Sequence, residues 1–147
     1  MKKIGEYTLR GQVDHNVPKE IRLFDGSFST GYRVVEFTIF AREVSLSDLQ
    51  NFAAFLGTTP SMNAINWEWE NQEQIAWSAS SFDGNASGFT PGAFTQIDPE
   101  NIIVEDLYVY LDSNLSSSAN YFIKLEKYEI TDWQGALALV KNNSQDV

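Results

Sequence analysis

Residues 32–42 read YRVVEFTIFAR, and this stretch indicates the fold class of the chain. Its side chains alternate with a period of two, the repeat that places neighbouring side chains on opposite faces of a β-strand. One face carries Val35, Phe37, Ile39 and Ala41, and the other carries Val34, Glu36, Thr38 and Phe40. Apolar groups are therefore present on both faces. A strand that is apolar on both faces predicts an interior position in a sheet.

The same period of two occurs on the amino-terminal side of this stretch. In residues 7–13, apolar or small residues alternate with Thr8, Arg10 and Gln12, which predicts a strand with one polar face. Residues 20–24 form a second run that leads into Asp25-Gly26, a dipeptide typical of type I′ turns because both central positions need positive φ. We therefore expect a hairpin in which residues 32–42 are the return strand.

Further strands are predicted towards the carboxyl end. Residues 65–69 and 74–80 have the pattern of a hairpin around residues 70–73. Residues 81–99 are rich in Gly and Pro and predict a long surface loop. Residues 101–111 and 120–130 predict two long strands, which we expect to pair with each other in antiparallel fashion.

Two segments have helical spacing. Leu49, Phe52, Ala53 and Leu56 recur at i, i+3, i+4 and i+7, and Gly57 follows, which predicts a short helix. Residues 131–141 begin with the Thr131 and Gln134 spacing of a capping box and predict a terminal helix. The prediction is a single mainly β domain over residues 1–147, an antiparallel β-sandwich or jelly-roll-like fold with one or two short helices.

Charge is sorted along the chain. Between Arg42 and Lys124 there is no lysine or arginine, and eleven carboxylates give this window a charge of −11, compared with a formal net charge of −10 for the whole chain. Such an anionic field repels phosphate backbones and anionic lipid, so neither nucleic acid nor a membrane is an expected partner. No apolar run approaches the roughly 20 residues that cross a bilayer, and no signal-length segment follows the start. We expect the protein to be made in the cytoplasm of its host.

Composition and motifs give little support for catalysis. The chain has no cysteine, which excludes disulfides, thiolate metal sites and cysteine nucleophiles. Its one histidine, His15, lies in a polar stretch that predicts a turn, and no Gly-x-Ser-x-Gly motif is present. We interpret His15 as an ordinary turn residue and expect no bound cofactor.

The segment Trp67-Glu68-Trp69-Glu70 is the strongest candidate for carboxylate chemistry. Two acids suffice for glycoside hydrolysis, but in a strand both glutamates would lie on one face and both tryptophans on the other. We therefore expect the indoles to pack into the core and the acids to face solvent. The alternative is a carbohydrate-binding β-sandwich with Trp67, Trp69 or Trp77 exposed, and a carboxylate-based hydrolase is less favoured.

Calcium is a second, less favoured alternative for the acidic residues. Oxygen ligands are available on five residues near predicted loop ends, Asp98, Glu100, Glu105, Asp106 and Asp112. Their spacing does not match an Asp-x-Asp-x-Asp-Gly loop, so we interpret them as solvated acids and expect no metal.

Residues 98–108 (DPENIIVEDLY) and 126–137 (EKYEITDWQGAL) are similar to small uncharacterised virion-type proteins of marine tailed bacteriophages and marine environmental sequences. Residues 23–26 and 32–37 resemble the amino-terminal part of the same proteins. The resemblance implies a virion structural component, either a head decoration protein or a tail or neck subunit, with other virion proteins as partners.

The functional prediction is a non-enzymatic interaction protein that acts by oligomerisation. A closed ring or a trimer would bury an exposed sheet edge. Three aromatic residues of the predicted loop, Phe82, Phe89 and Phe94, are candidates for insertion into a neighbouring subunit. The alternative is that these rings fold back to cover the sheet.

Overall fold

The computed structural model describes residues 2–60, 66–84 and 92–130. These residues form β-strands and no α-helix, and no helix among them is long and apolar enough to cross a membrane. The strands are β1 (Lys2–Val13), β2 (Lys19–Ile21), β3 (Thr30–Ala41), β4 (Leu49–Gly57), β5 (Gln74–Asp83), β6 (Ala93–Ile97), β7 (Leu107–Ser113) and β8 (Ala119–Glu129). The prediction of a mainly β chain is confirmed.

The strands form two antiparallel sheets that enclose one main core. The first sheet has the order β1-β8-β3, and the second has the order β2-β7-β4-β5-β6. Each sheet buries its inner face against the other, because alternate side chains of each strand point inwards. Fully buried members include Phe37, Ile123 and Leu125 from the first sheet and Leu56 and Leu111 from the second.

The strand order is that of a jelly roll with one departure. Strands β1 and β8, β2 and β7, and β4 and β5 pair with each other, as in a long hairpin that is rolled into two sheets. Strand β6 pairs with β5 instead of β3. It still lies beside β3, because the Thr95 hydroxyl donates to the Phe37 carbonyl at 3.4 Å.

Strand β3 lies at a sheet edge, so the prediction of an interior strand is wrong. The ladder with β8 shifts between Val34 and Glu36, which leaves Val35 as an extra, unpaired residue. This bulge returns Val34 to the inner face, where Val34 and Phe37 are both buried. The burial of Val34 on the same face as Phe37 is therefore a consequence of the bulge, whereas Phe40 lies after the bulge and contacts Phe82.

Side chains of the second sheet and of the loop between β6 and β7 close the free edge of β3. The Ile39 N–H donates to the Ser78 hydroxyl at 3.2 Å, and the Ser80 hydroxyl donates to the Ile39 carbonyl at 2.8 Å. The Val34 N–H donates to the Asn101 side-chain oxygen at 2.9 Å. Buried backbone groups need hydrogen-bond partners, and these contacts provide them at the free edge of β3. The same contacts join the two sheets along one side of the sandwich.

The predicted helix over Leu49, Phe52, Ala53 and Leu56 is wrong, because this segment is strand β4 in the middle of the second sheet. Phe52 and Leu56 pack into the main core, whereas Phe55 packs into a separate cluster on the other face. A strand that is buried on both faces loses the alternation that marks it in sequence, and tertiary contacts then override local spacing. The second predicted helix, residues 131–141, lies outside the described residues.

Three predicted strand pairings are also wrong. Strand β2 pairs with β7 and not with β3, and Asp25 instead accepts bonds from the Ser27 N–H and the Thr30 hydroxyl in a local turn. Strands β7 and β8 belong to different sheets. Residues 66–69 form no strand, and β5 pairs with β4 and β6.

The predicted loop 81–99 is shorter than expected, because β5 extends to Asp83 and β6 occupies Ala93–Ile97.

Candidate functional site

The outer face of the second sheet carries a buried aromatic base. Phe55 on β4 lies opposite Trp77 on β5 and Tyr110 on β7, so the three rings form one row across the strands. Phe55 and Tyr110 stack with centroids 4.8 Å apart at 15°. All three side chains are buried although they face away from the main core. A segment of chain must therefore cover this face.

Residues 66–73 provide part of that cover and carry two further indoles. Trp67 packs against the buried base, and Trp69 lies 5.5 Å from Trp77 between ring centroids. Phe94, on β6, lies 5.7 Å from Trp67 and 6.3 Å from Trp69. We call Trp67, Trp69 and Phe94 the aromatic shelf.

The aromatic shelf exposes two large rings to solvent. Trp69 is 57% exposed and Phe94 is 42% exposed. Their planes differ by only 16°, so the two rings present nearly parallel surfaces. Exposed aromatic groups that are held in place by buried neighbours are typical of interaction sites.

A buried glutamine fixes the segment that carries the indoles. The Gln74 side-chain oxygen accepts from the Trp77 indole N–H at 2.9 Å and from the Glu68 N–H at 2.8 Å. The Gln74 amide group donates to the Asn66 carbonyl at 2.9 Å. Gln74 thus connects the start of β5 to both ends of Trp67. No sequence pattern identified this role, because its contacts depend on the return of residues 66–68 over the sheet.

The structure brings together four of the six aromatic residues considered as interaction sites. Trp67, Trp69, Trp77 and Phe94 share the outer face of the second sheet, with Trp77 in its buried base. The expectation that Trp67 and Trp69 both enter the core is wrong for Trp69. Phe82 does not join them: it is buried and meets Phe40 edge to face with centroids 5.8 Å apart. Phe89 lies outside the described residues.

The carboxylates near the aromatic shelf are in three different settings. Glu68 and Glu70 are exposed and lie in a turn, not on one face of a strand as predicted. Glu73 is only 5% exposed, and this burial raises the pKa of its carboxyl above the usual range. The Thr59 hydroxyl lies 3.4 Å from the Glu73 carboxylate and partly offsets that shift.

Three of the five acids considered as calcium ligands, Asp98, Asp106 and Asp112, serve other contacts. Asp98 accepts from the Glu100 N–H at 2.9 Å, and Asp106 accepts from the N–H groups of Leu23 and Phe24. Asp112 lies 3.7 Å from the ring of His15. Within the described part of the chain, no group of three or more histidine, aspartate or glutamate residues is placed to hold a metal ion.

His15 links the end of β1 to β7. Its Nδ1 accepts from the Ser113 N–H at 2.9 Å, and the next residue, Asn16, donates its N–H to the Leu111 carbonyl at 3.0 Å. Asn16 has φ of 60°, as expected in a tight turn. His15 therefore stabilises a turn between the two sheets.

Comparisons of the chain with protein-family models, with curated proteins and with solved structures give no match.

Proposed function

We propose that this chain is a non-enzymatic interaction protein, a structural component of a phage particle that self-associates and docks on neighbouring virion proteins. Its docking surface is the aromatic shelf. The observation that carries the proposal is the exposed, nearly parallel pair Trp69 and Phe94, supported from below by the buried Trp77.

The aromatic shelf has the physical properties of an interface anchor. Aromatic side chains dominate binding energy where they are desolvated, and anchors that are already fixed lose little conformational entropy on binding. Trp69 is fixed through ring contacts with Trp77 and Phe94. The exposed acids Glu68 and Glu70 supply a polar rim.

The virion setting of the proposal has two supports. The first is the resemblance, drawn from the sequence alone, of residues 98–108 and 126–137 to virion-type proteins of marine tailed phages. Jelly-roll domains occur in viral capsid proteins and in lectins, although such an analogy speaks for a fold and not for a site. A head decoration protein or a tail or neck subunit fits both supports.

Purified particles provide the test. Phage particles from the culture that produces the chain are banded on a density gradient, and their proteins are quantified by mass spectrometry. We expect the chain to band with the particles at a constant number of copies per particle. Its recovery only from the soluble fraction of the lysate would contradict a structural role in the virion.

Carbohydrate binding is the second candidate function, and the near-parallel exposed rings favour it. The apolar face of a sugar ring packs well on such aromatic surfaces, and Glu68 and Glu70 are available as hydrogen-bond acceptors beside Trp69. If the site binds sugar, adding host-surface glycans should change indole fluorescence, and Trp69→Ala should abolish the change. An unaltered spectrum across neutral and acidic glycans would exclude this candidate.

A further inference from the structure

Among the residues that the structure describes, the outer edge of β1 has no partner strand. Strand β1 pairs with β8 on one side only and forms the edge of the first sheet. On the other edge of that sheet, side chains close β3, but within residues 2–60, 66–84 and 92–130 no hydrogen bond reaches the free edge of β1. An open edge is a template for another strand.

The ladder pattern identifies which groups of β1 face outwards. On β3, the N–H and C=O of Ile39 point away from β8. Backbone groups of successive residues in a strand point to opposite edges, so those of the neighbouring Thr38 point towards β8 and bond to Phe122. By alternation, Ile123 of β8 bonds to its partner Leu9 on β1. The N–H and C=O groups of Glu6, Thr8 and Arg10 therefore point to the open edge.

We propose that two copies of this chain pair through their β1 edges, antiparallel and about a two-fold axis at Thr8. The inference rests on the proposed function, in which the chain self-associates, and it assigns the surface and the register. Thr8 then faces Thr8 of the second copy, and the two first sheets join into one continuous six-stranded sheet. The interface uses the same patch on both copies, as closed dimers require.

Charge complementarity favours this register over those with the axis at the other outward-facing residues, Glu6 and Arg10. With the axis at Thr8, Glu6 faces Arg10 of the second copy, and the symmetric pair repeats the contact. With the axis at Glu6 or at Arg10, like charges would meet across the edge, which is destabilising. Arg10 forms no ion pair with any described residue, so it is available for this contact. Glu6 contacts Lys3 at 2.5 Å, and its carboxylate can accept from Arg10 of the second copy as well.

The other face of β1 supports the same register. Tyr7 is 48% exposed although it points to the inner face of the sheet, and the register at Thr8 places it opposite Leu9 of the second copy. Pairing therefore covers an exposed ring with an apolar side chain. The ladder shift between Lys3 and Gly5 ends the regular edge, so the pairing runs from Gly5 to Gly11.

Charge exchange tests the register. We expect the native chain to be a dimer by sedimentation and multi-angle light scattering. Arg10→Glu and Glu6→Arg each place like charges face to face at two symmetric positions and should raise the dissociation constant at least roughly tenfold. An equimolar mixture of the two variants restores opposite charges and should form a heterodimer. Arg22→Glu is the matched control, because Arg22 is 84% exposed and lies outside β1.

A cysteine at the axis gives a second readout. The chain has no cysteine, and facing residues of a hydrogen-bonded antiparallel pair lie about 5.5 Å apart between Cα atoms, within disulfide range. Thr8→Cys should therefore cross-link under mild oxidation. Gln12→Cys should not, because its two copies would lie roughly 27 Å apart at about 3.4 Å per residue.

The outcomes separate this inference from the proposed function. A dimer that persists in Arg10→Glu and does not cross-link through Thr8→Cys would overturn the β1 interface, while banding of the chain with particles would still support a virion role. A native chain that stays monomeric at high concentration would overturn the dimer and the self-association on which it rests. Failure to band with particles, with the β1 dimer intact, would overturn only the virion role.

Discussion

At the scale of single residues, the sequence predicts Trp69 as a candidate site residue but does not predict the role of Gln74. The tryptophans were recognisable as candidate site residues, but their exposure depends on how residues 66–73 return over the sheet. Gln74 sets that return through hydrogen bonds to Asn66, Glu68 and Trp77. A lone glutamine at the start of a strand carries no pattern, so its role follows only from the folded chain.

Replacing Gln74 tests its role directly. Gln74→Leu keeps the volume but leaves the Trp77 indole N–H and the Glu68 N–H without their acceptor. Loss of buried partners costs about 1–3 kcal/mol, so we expect the free energy of unfolding in urea to fall by that amount. Gln96→Leu, at an exposed position of β6, is the control. Equal stability of the two variants would refute the role of Gln74.

Glu73 makes stability depend on pH. Burial raises the pKa of its carboxyl in the folded chain, so the native state disfavours the charged form. The resulting stability is present below the unfolded pKa and is lost as the pH rises through the folded pKa. Glu73→Gln should therefore raise the melting temperature at pH 7, with a difference that disappears near pH 4. A gain that is equal at both pH values, or one matched by the exposed Glu70→Gln, would contradict this account.

At the scale of elements, alternation in the sequence identified β1, β3, β5 and β8, whereas β4 was predicted as a helix and β6 as part of a loop. Strand β4 lies in the middle of a sheet and is buried on both faces, so its apolar residues lack a period of two. Pairings were predicted between neighbours in sequence, whereas a jelly roll pairs distant strands such as β1 with β8. The bulge at Val35 shifts the alternation of β3 by one residue, and this shift made the strand resemble an interior strand in the sequence.

The closed edge of β3 gives a prediction at the element scale. Ser80→Ala removes the hydroxyl that donates to the buried Ile39 carbonyl. Leaving that carbonyl unpaired should lower the free energy of unfolding by about 1–3 kcal/mol and speed hydrogen exchange in β3. Ser81→Ala provides the control, because Ser81 bonds to an exposed Asn51 side chain. A similar small effect in both variants would show that the serine contacts do not hold the edge.

At the scale of the whole molecule, the jelly roll sets the candidate surfaces on different sheets. The second sheet carries the aromatic shelf on its outer face, whereas the first sheet ends in the open edge of β1. Under the proposed function, one surface would bind a neighbouring virion protein while the other would hold a second copy. The sequence predicted the fold class and most of the aromatic candidates, because both depend on composition and local alternation. It did not predict the two surfaces, which depend on the packing of distant strands.

The aromatic shelf is the proposed docking surface of the chain on the phage particle. The most direct measurement is the fraction of purified protein that cosediments with particles, compared between Phe94→Ser and Phe24→Ser. The two phenylalanines are 42% and 41% exposed, and only Phe94 belongs to the shelf. We predict that the native chain and Phe24→Ser cosediment, whereas correctly folded Phe94→Ser stays in the supernatant. Equal cosedimentation of the two variants would contradict the account.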